Sequence, residues 1–115
     1  TQSKIIENLA QKEDCIIVGR CANYLLRGKC LSLFVYAPYE YRVQRVMERL
    51  GREDRSARVL IRKTDKSRKA YYEFFTDEKW NDPENYNFCV DTSQFSKEFL
   101  VKLLAEAYRE WNPDA

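Results

Sequence analysis

Leu31-Ser32-Leu33-Phe34-Val35-Tyr36, stopped by Ala37-Pro38, fills nearly every position of a short run with an apolar side chain. A strand half exposed to water alternates apolar and polar residues, so a continuous run points to a strand covered on both faces, as in a parallel sheet. Upstream, Cys15-Ile16-Ile17-Val18 is a run of the same kind, closed by Gly19-Arg20, and downstream Asn87-Phe88-Cys89-Val90-Asp91 is a third. The segments between them change to a helical period. Ile5, Ile6 and Leu9 share a face over about residues 2–12, and Ala22 to Leu26 suits a short helix that Gly28 ends. Val43, Val46, Met47 and Leu50 mark a helix over 39–50 that stops at Gly51. Residues 56–80 hold no Gly or Pro, and Val59, Leu60, Tyr71, Phe74 and Phe75 predict one long helix with its apolar stripe strongest near the C-terminal end. After a turn at Asn81-Asp82-Pro83-Glu84-Asn85, Ser93 or Ser96 can cap a last helix carrying Phe99, Leu100, Leu103, Leu104 and Tyr108. The order αβαβααβα predicts an α/β fold, a small parallel sheet between two helical layers, in a single domain over 1–115.

The 115 residues, 44% hydrophobic, 33% charged and 14% aromatic, suit one compact soluble domain and exclude disorder, collagen and membrane spans. Twenty Lys+Arg against 18 Asp+Glu leave a net charge of +2, far from a nucleic-acid-binding footprint, so no nucleic-acid partner is expected. There is no histidine, which removes imidazole bases, histidine metal ligands and histidine-dependent triads. Cys15, Cys21, Cys30 and Cys89 lack metal-site spacing and three of them adjoin apolar runs, so buried free thiols in a reducing cytoplasm are expected, with no metal site. No basic stretch followed by an apolar core opens the chain, and no membrane contact is expected. The start at Thr1-Gln2-Ser3, without Met and directly into a helical pattern, reads as the edge of a fragment.

In an open α/β sheet the ligand crevice lies beyond the carboxyl ends of the strands. Arg20 stands directly after Ile17-Val18-Gly19, where a guanidinium can grip a phosphate bidentately; a surface arginine in a loop pair is the plainer alternative. Arg42 and Arg45, then Arg62, Lys63, Asp65, Lys66 and Arg68, flank the polar segment Gly51-Arg52-Glu53-Asp54-Arg55. Such a charged helix-loop-helix is either a solvated face or an arginine-rich lid over a polyphosphate. Asp65 and Arg68, three apart, share a helix face and can address a sugar hydroxyl and a phosphate together. The aromatic group Tyr71, Tyr72, Phe74, Phe75, Trp80 and Tyr86 has the spacing of a core or subunit interface rather than of base stacking. Asp91-Thr92-Ser93 is a plain strand-to-helix turn or part of a nucleotide-base site.

Taken together, Ile16-Ile17-Val18-Gly19-Arg20-Cys21-Ala22, Arg42-Val43-Gln44-Arg45-Val46-Met47, Thr64-Asp65-Lys66-Ser67-Arg68-Lys69-Ala70-Tyr71-Tyr72, Lys79-Trp80-Asn81-Asp82-Pro83-Glu84-Asn85-Tyr86 and Val90-Asp91-Thr92-Ser93 resemble the bacterial cytidylate kinase-like proteins. These are relatives of cytidylate kinase among the P-loop nucleoside monophosphate kinases, and the resemblance runs in order over nearly the whole chain. It implies a three-layer P-loop NTPase-like fold with a lid at about 42–68, and transfer of the γ-phosphoryl of Mg²⁺-bound ATP to a nucleoside monophosphate, CMP first. It implies that Arg20 holds the acceptor's phosphate, that Arg42, Arg45 and Arg62 serve the lid and the donor's phosphates, and that Asp65 and Arg68 face the acceptor's ribose and phosphate. Asp91, Thr92 and Ser93 then fall on the cofactor side. Cys21 stands where cytidylate kinases carry a cytosine-reading Asp, and a thiol does not offer a carboxylate's acceptors.

One part of the family pattern is absent. The only glycines are Gly19, Gly28 and Gly51, and no G-x-x-x-x-G-K-[ST] exists to cradle phosphates. In the family that loop follows a central strand lying between those that match 15–18 and 31–36. The expectation is therefore a C-terminal portion, incomplete at the N-terminus, inactive alone, with small-molecule nucleotides as partners and a homodimer left open. A nucleotide-binding or protein-interaction module without chemistry is the alternative.

Overall fold

In the computed structural model, which describes residues 2–12 and 14–112, Leu33–Tyr36 (β1) and Phe88–Asp91 (β2) pair in parallel, with Leu33 opposite Phe88 and Tyr36 opposite Asp91. Asn87 reinforces the entry to this ladder: its Oδ1 accepts from the Ser32 amide at 2.8 Å, and its own amide donates to the Ser32 carbonyl at 2.8 Å. The remaining elements are helices α1 (Gln2–Lys12), α2 (Ala22–Leu25), α3 (Tyr39–Leu50), α4 (Asp54–Thr76) and α5 (Lys97–Glu110), with a 3₁₀ turn at Pro83–Asn85.

The helix ends follow from local chemistry. Pro38 precedes α3 with φ −55°, and Gly51 closes it at φ 61°, a left-handed conformation that glycine adopts without a Cβ penalty. α4 stops at Thr76 rather than running on to Trp80, because Asp77 turns left-handed (φ 58°) and returns its amide to the Glu73 carbonyl. The Thr76 hydroxyl secures that end, donating to the Tyr72 carbonyl at 2.7 Å and accepting from the Glu78 amide at 3.1 Å. Asp82 caps the 3₁₀ turn by accepting from the Glu84 amide at 3.0 Å. Ser96, not Ser93, caps α5, accepting from the Phe99 amide at 3.1 Å.

Two small apolar clusters form the interior. Ile6, Ala22 and Leu26 join α1 to α2, and Val43, Ala57 and Ile61 join α3 to α4. Phe34 of β1 adds an aromatic contact, with Trp80 edge-on at 5.4 Å and Tyr86 tilted at 5.0 Å.

The mixed α/β character and the parallel pairing agree with the sequence reading, but the sheet has two strands among the described residues, not three. Residues 14–18 form no strand; Ile16 is 94% and Val18 87% exposed. An extended run needs a neighbour for its amides and carbonyls, and no strand pairs with residues 14–18 among the described residues. The two strands are also not covered on both faces, since Val35 and Phe88 are exposed and only Val90 is buried. The aromatic group divides: Tyr72 is buried, while the exposed Phe75 meets Tyr71 at a tilt and Phe74 edge-on. All four cysteines are free; Cys21 is buried and Cys30 half-buried, whereas Cys15 and Cys89 are exposed, against expectation. Among the described residues no helix is long and apolar enough to cross a membrane.

Burial decides which apolar residues stabilise this chain. Val43→Ala should cost about 2 kcal/mol in urea denaturation, by lost transfer energy and a residual void, because Val43 is only 2% exposed. Ile16→Ser should change stability by less than about 0.5 kcal/mol, the range for sites without native contacts. Equal effects of the two would contradict the unpaired state of 14–18.

Candidate functional site

Gly19, Arg20 and Cys21 follow one another in left-handed conformations, with φ of 72°, 62° and 55°. Glycine takes this region freely, but each residue with a Cβ pays roughly 1–2 kcal/mol there, so Arg20 and Cys21 must be held from outside. The Cys21 carbonyl accepts from the Tyr24 and Leu25 amides, both at 3.0 Å, which starts α2 directly behind the turn. Asn23, one turn on, donates through Nδ2 to the Tyr72 hydroxyl at 3.0 Å and to the Asn85 carbonyl at 3.4 Å. Arg27 reaches Glu78 with two bonds, Nη1 to Oε2 at 2.9 Å and Nη2 to Oε1 at 2.5 Å. The turn itself presents the Arg20 side chain to solvent without an ion pair among the described residues, while the Cys21 thiol is turned inward and burial pushes its pKa up.

Around Tyr72 the polar contacts continue. The Tyr86 hydroxyl donates to the Trp80 carbonyl at 2.6 Å; burial, the largest cause, and the neighbouring Tyr72 hold this phenol in its neutral form well above the usual tyrosine range. The Asp-Pro-Glu-Asn-Tyr segment is therefore built into the wall behind the turn, with Asn85 donating to the Lys79 carbonyl at 2.7 Å.

The helical hairpin α3–α4 carries the basic groups. Arg42 forms a bidentate pair with Asp65, Nη1 to Oδ2 at 2.8 Å and Nη2 to Oδ1 at 2.6 Å, with both side chains about one-third exposed. The sequence reading gave these two residues to different ligands, and the structure joins them. Arg58, which no motif singled out, is the hub at the far end: it holds Glu40 through two bonds at 2.7 Å, pairs with Asp54 at 2.8 Å, and lies over the Tyr39 ring at 5.5 Å. Arg45, Arg62 and Arg68 are exposed and make no ion pair among the described residues. Four basic side chains that the sequence marked, Arg20, Arg45, Arg62 and Arg68, thus remain available to an external anion.

Asp91, Thr92 and Ser93 leave β2 as a side-chain-stabilised turn. Asp91 Oδ1 accepts from the Ser93 amide at 2.9 Å and its hydroxyl at 2.7 Å, and the Thr92 amide donates to the Tyr36 carbonyl at 3.0 Å. The turn reading accounts for every one of these bonds. Among the described residues no group of three His, Cys, Asp or Glu side chains could hold a metal ion.

What sequence reasoning missed is the tie from Asn23 to Tyr72, 49 residues apart, and the role of Arg58. Neither leaves a local signal, because a hydrogen bond across the fold has no period or spacing.

A profile of the cytidylate kinase-like family matches residues 1–94. The chain belongs to the cytidylate kinase-like family. It is similar to a cytidylate kinase of Methanopyrus kandleri, 28% identical, the match covering 85% of this chain and 56% of that protein. It is also similar to an uncharacterized protein from Eubacterium ventriosum whose crystal structure superposes with a TM-score of 0.88 at 29% identity, over 96% of this chain and 64% of that one. The chain thus spans little more than half the length of the curated relative and under two thirds of the solved one. In this cytidylate kinase-like chain the left-handed Gly-Arg turn, the basic hairpin and the Asp-Pro-Glu-Asn-Tyr wall all lie within the matched residues.

The ion pairs fix a pH response. Arg58 holds the Glu40 and Asp54 carboxyls below their usual range, and Arg27 does the same to Glu78, in each case through hydrogen bonding first. Their folded values lie below the unfolded ones, so their contribution is present at neutral pH and is lost as the pH falls through the lowered values. Helicity followed by circular dichroism should stay flat from about pH 8 to about pH 5 and decline only below about pH 4. A transition near pH 6.5 would contradict this, since the chain has no histidine.

Proposed function

We propose that the protein is a nucleoside monophosphate kinase of the cytidylate type, whose whole form moves the γ-phosphoryl of ATP onto a nucleoside monophosphate, with CMP the favoured acceptor. The observation that carries the reading is Arg20, an exposed and unpaired guanidinium held on a left-handed turn in a chain of this family. In this reading Arg20 takes the acceptor's phosphate with two parallel N–H bonds, and Arg68 faces the same acceptor. The α3–α4 hairpin acts as the lid, about residues 42–68, and Arg45 and Arg62 supply positive charge where phosphoryl oxygens gain negative charge. Arg42 joins them when Asp65 turns to the acceptor's ribose and releases it. The turn at Asp91-Thr92-Ser93 lies on the base side of the nucleotide. Free thiols favour a cytoplasmic setting.

ATP and Mg²⁺ supply the transferred group and the neutralisation of its charge, but the residues present do not seat them. No described cluster of three acidic, thiol or imidazole groups suits a metal, and the sequence has no glycine-rich phosphate loop. In this reading the strand bearing that loop belongs in the space between the exposed Ile16–Val18 segment and the free side of β1. The missing loop also favours a second reading, a nucleotide-binding or interaction module without chemistry.

Incubated with Mg·ATP and CMP, UMP or AMP, this chain alone should give no phosphoryl transfer; turnover like that of a whole monophosphate kinase would remove the need for the loop. In the intact protein, Arg20→Ala should weaken CMP binding by roughly 1.5–3 kcal/mol in calorimetry, the worth of a charge-assisted bidentate pair. Equal affinities would take Arg20 out of the site.

A further inference from the structure

The turn that carries Arg20 is strained in a way its own contacts do not explain. Arg20 and Cys21 both sit at positive φ, and the loop has one internal closure, the Ala22 amide to the Gly19 carbonyl at 3.2 Å. Nothing lies within 4 Å of where a Cβ on Gly19 would be, so crowding does not force the shape there. A conformation of this kind persists only when its surroundings over-determine it, and such strain gathers where a side chain must be aimed.

The surroundings make that determination through α2. Asn23 is the second residue of this single-turn helix, and its Nδ2 donates to the Tyr72 hydroxyl at 3.0 Å. Tyr72 is 5% exposed and belongs to α4, a helix pinned to α3 by the Val43, Ala57 and Ile61 cluster. Asn23 Nδ2 also donates to the carbonyl of Asn85 at 3.4 Å, the residue before Tyr86, which donates to the Trp80 carbonyl and packs on Phe34 of β1. An unbroken set of contacts thus runs from the turn to the sheet. Arg27–Glu78 is a second tie between the same two regions, but its side chains are half and one-third exposed, so water competes with it.

We propose that Asn23 and Tyr72 are a positioning pair, whose hydrogen bond holds Gly19–Cys21 in its left-handed turn and so aims Arg20 at the acceptor's phosphate. The proposal rests on the reading of Arg20 as the phosphate ligand and adds the device that orients it. A tyrosine that merely filled the core would need its ring and not its hydroxyl, so Tyr72→Phe separates the two roles, and Asn23→Ala removes the donor from the other side.

Two measurements decide the matter. Amide exchange reads the turn without any ligand: at Ala22 it should quicken about tenfold in Tyr72→Phe, as for one lost hydrogen bond, while the amides of α3 keep their protection. Calorimetry with CMP on the intact protein reads the aim of Arg20. Tyr72→Phe and Asn23→Ala should each weaken binding about tenfold, and adding either to Arg20→Ala should cost nothing more, because both act through that side chain. Losses that add, or an unchanged Ala22 exchange, overturn the proposal. If Arg20→Ala weakens CMP binding and Tyr72→Phe does not, the phosphate reading stands and the positioning pair falls. If Arg20→Ala itself changes nothing, both fall together.

Discussion

The parallel ladder between Leu33–Tyr36 and Phe88–Asp91 is the contact from which the rest of the chain is suspended. A parallel pair cannot be closed by a tight turn, so everything between the strands must serve as crossover, and here that crossover is α3, α4 and the 3₁₀ turn. The ladder brings the carboxyl ends of both strands to one edge, where the Thr92 amide meets the Tyr36 carbonyl. It also returns Trp80 and Tyr86 to Phe34, which closes the crossover at its base. The two apolar clusters, one in α1–α2 and one in α3–α4, share no buried residue, so polar ties, Asn23 to Tyr72 and Asn85 and Arg27 to Glu78, connect them.

Much of this frame was legible in the residues. Gly51 marks the end of α3 because a left-handed cap favours glycine, and Pro38 marks its beginning; both lie where the pattern put them. The end of α4 was not legible, since Asp77 adopts the same left-handed cap without being glycine, so the sequence carries no stop at Thr76. The strand at 15–18 failed for a different reason. Its composition is that of a buried strand, but composition states what a segment prefers and not whether a partner is beside it, and the exposure of Ile16 and Val18 reports the missing neighbour. At the candidate site, Arg20, Arg45, Arg62 and Arg68 are exposed, whereas the pairing of Arg42 with Asp65 depends on how two helices cross and has no signature in either.

The arginines divide by task. Arg27, Arg42, Arg58 and Arg109 are each in an ion pair, and three of these pairs bind separate elements to one another. Arg20, Arg45, Arg49, Arg52, Arg55, Arg62 and Arg68 have none among the described residues. A guanidinium already gripped by a carboxylate contributes little field to an approaching anion, so the uncompensated positive charge at the surface comes from the second set.

α4 has 23 residues, and at about 1.5 Å per residue it is a rod of about 34 Å. Tyr72 lies near one end of it and the hairpin tip near the other, roughly 27 Å away. A rod magnifies angles: tilting it by about 5° at Tyr72 would carry the tip through about 2 Å, of the order of a hydrogen-bond length. Substitutions around Tyr72, roughly 21 Å along the axis from Arg58, therefore act with mechanical advantage on where the charges near the tip stand. The stiffness that makes this so comes from the absence of glycine and proline along the whole length of the helix.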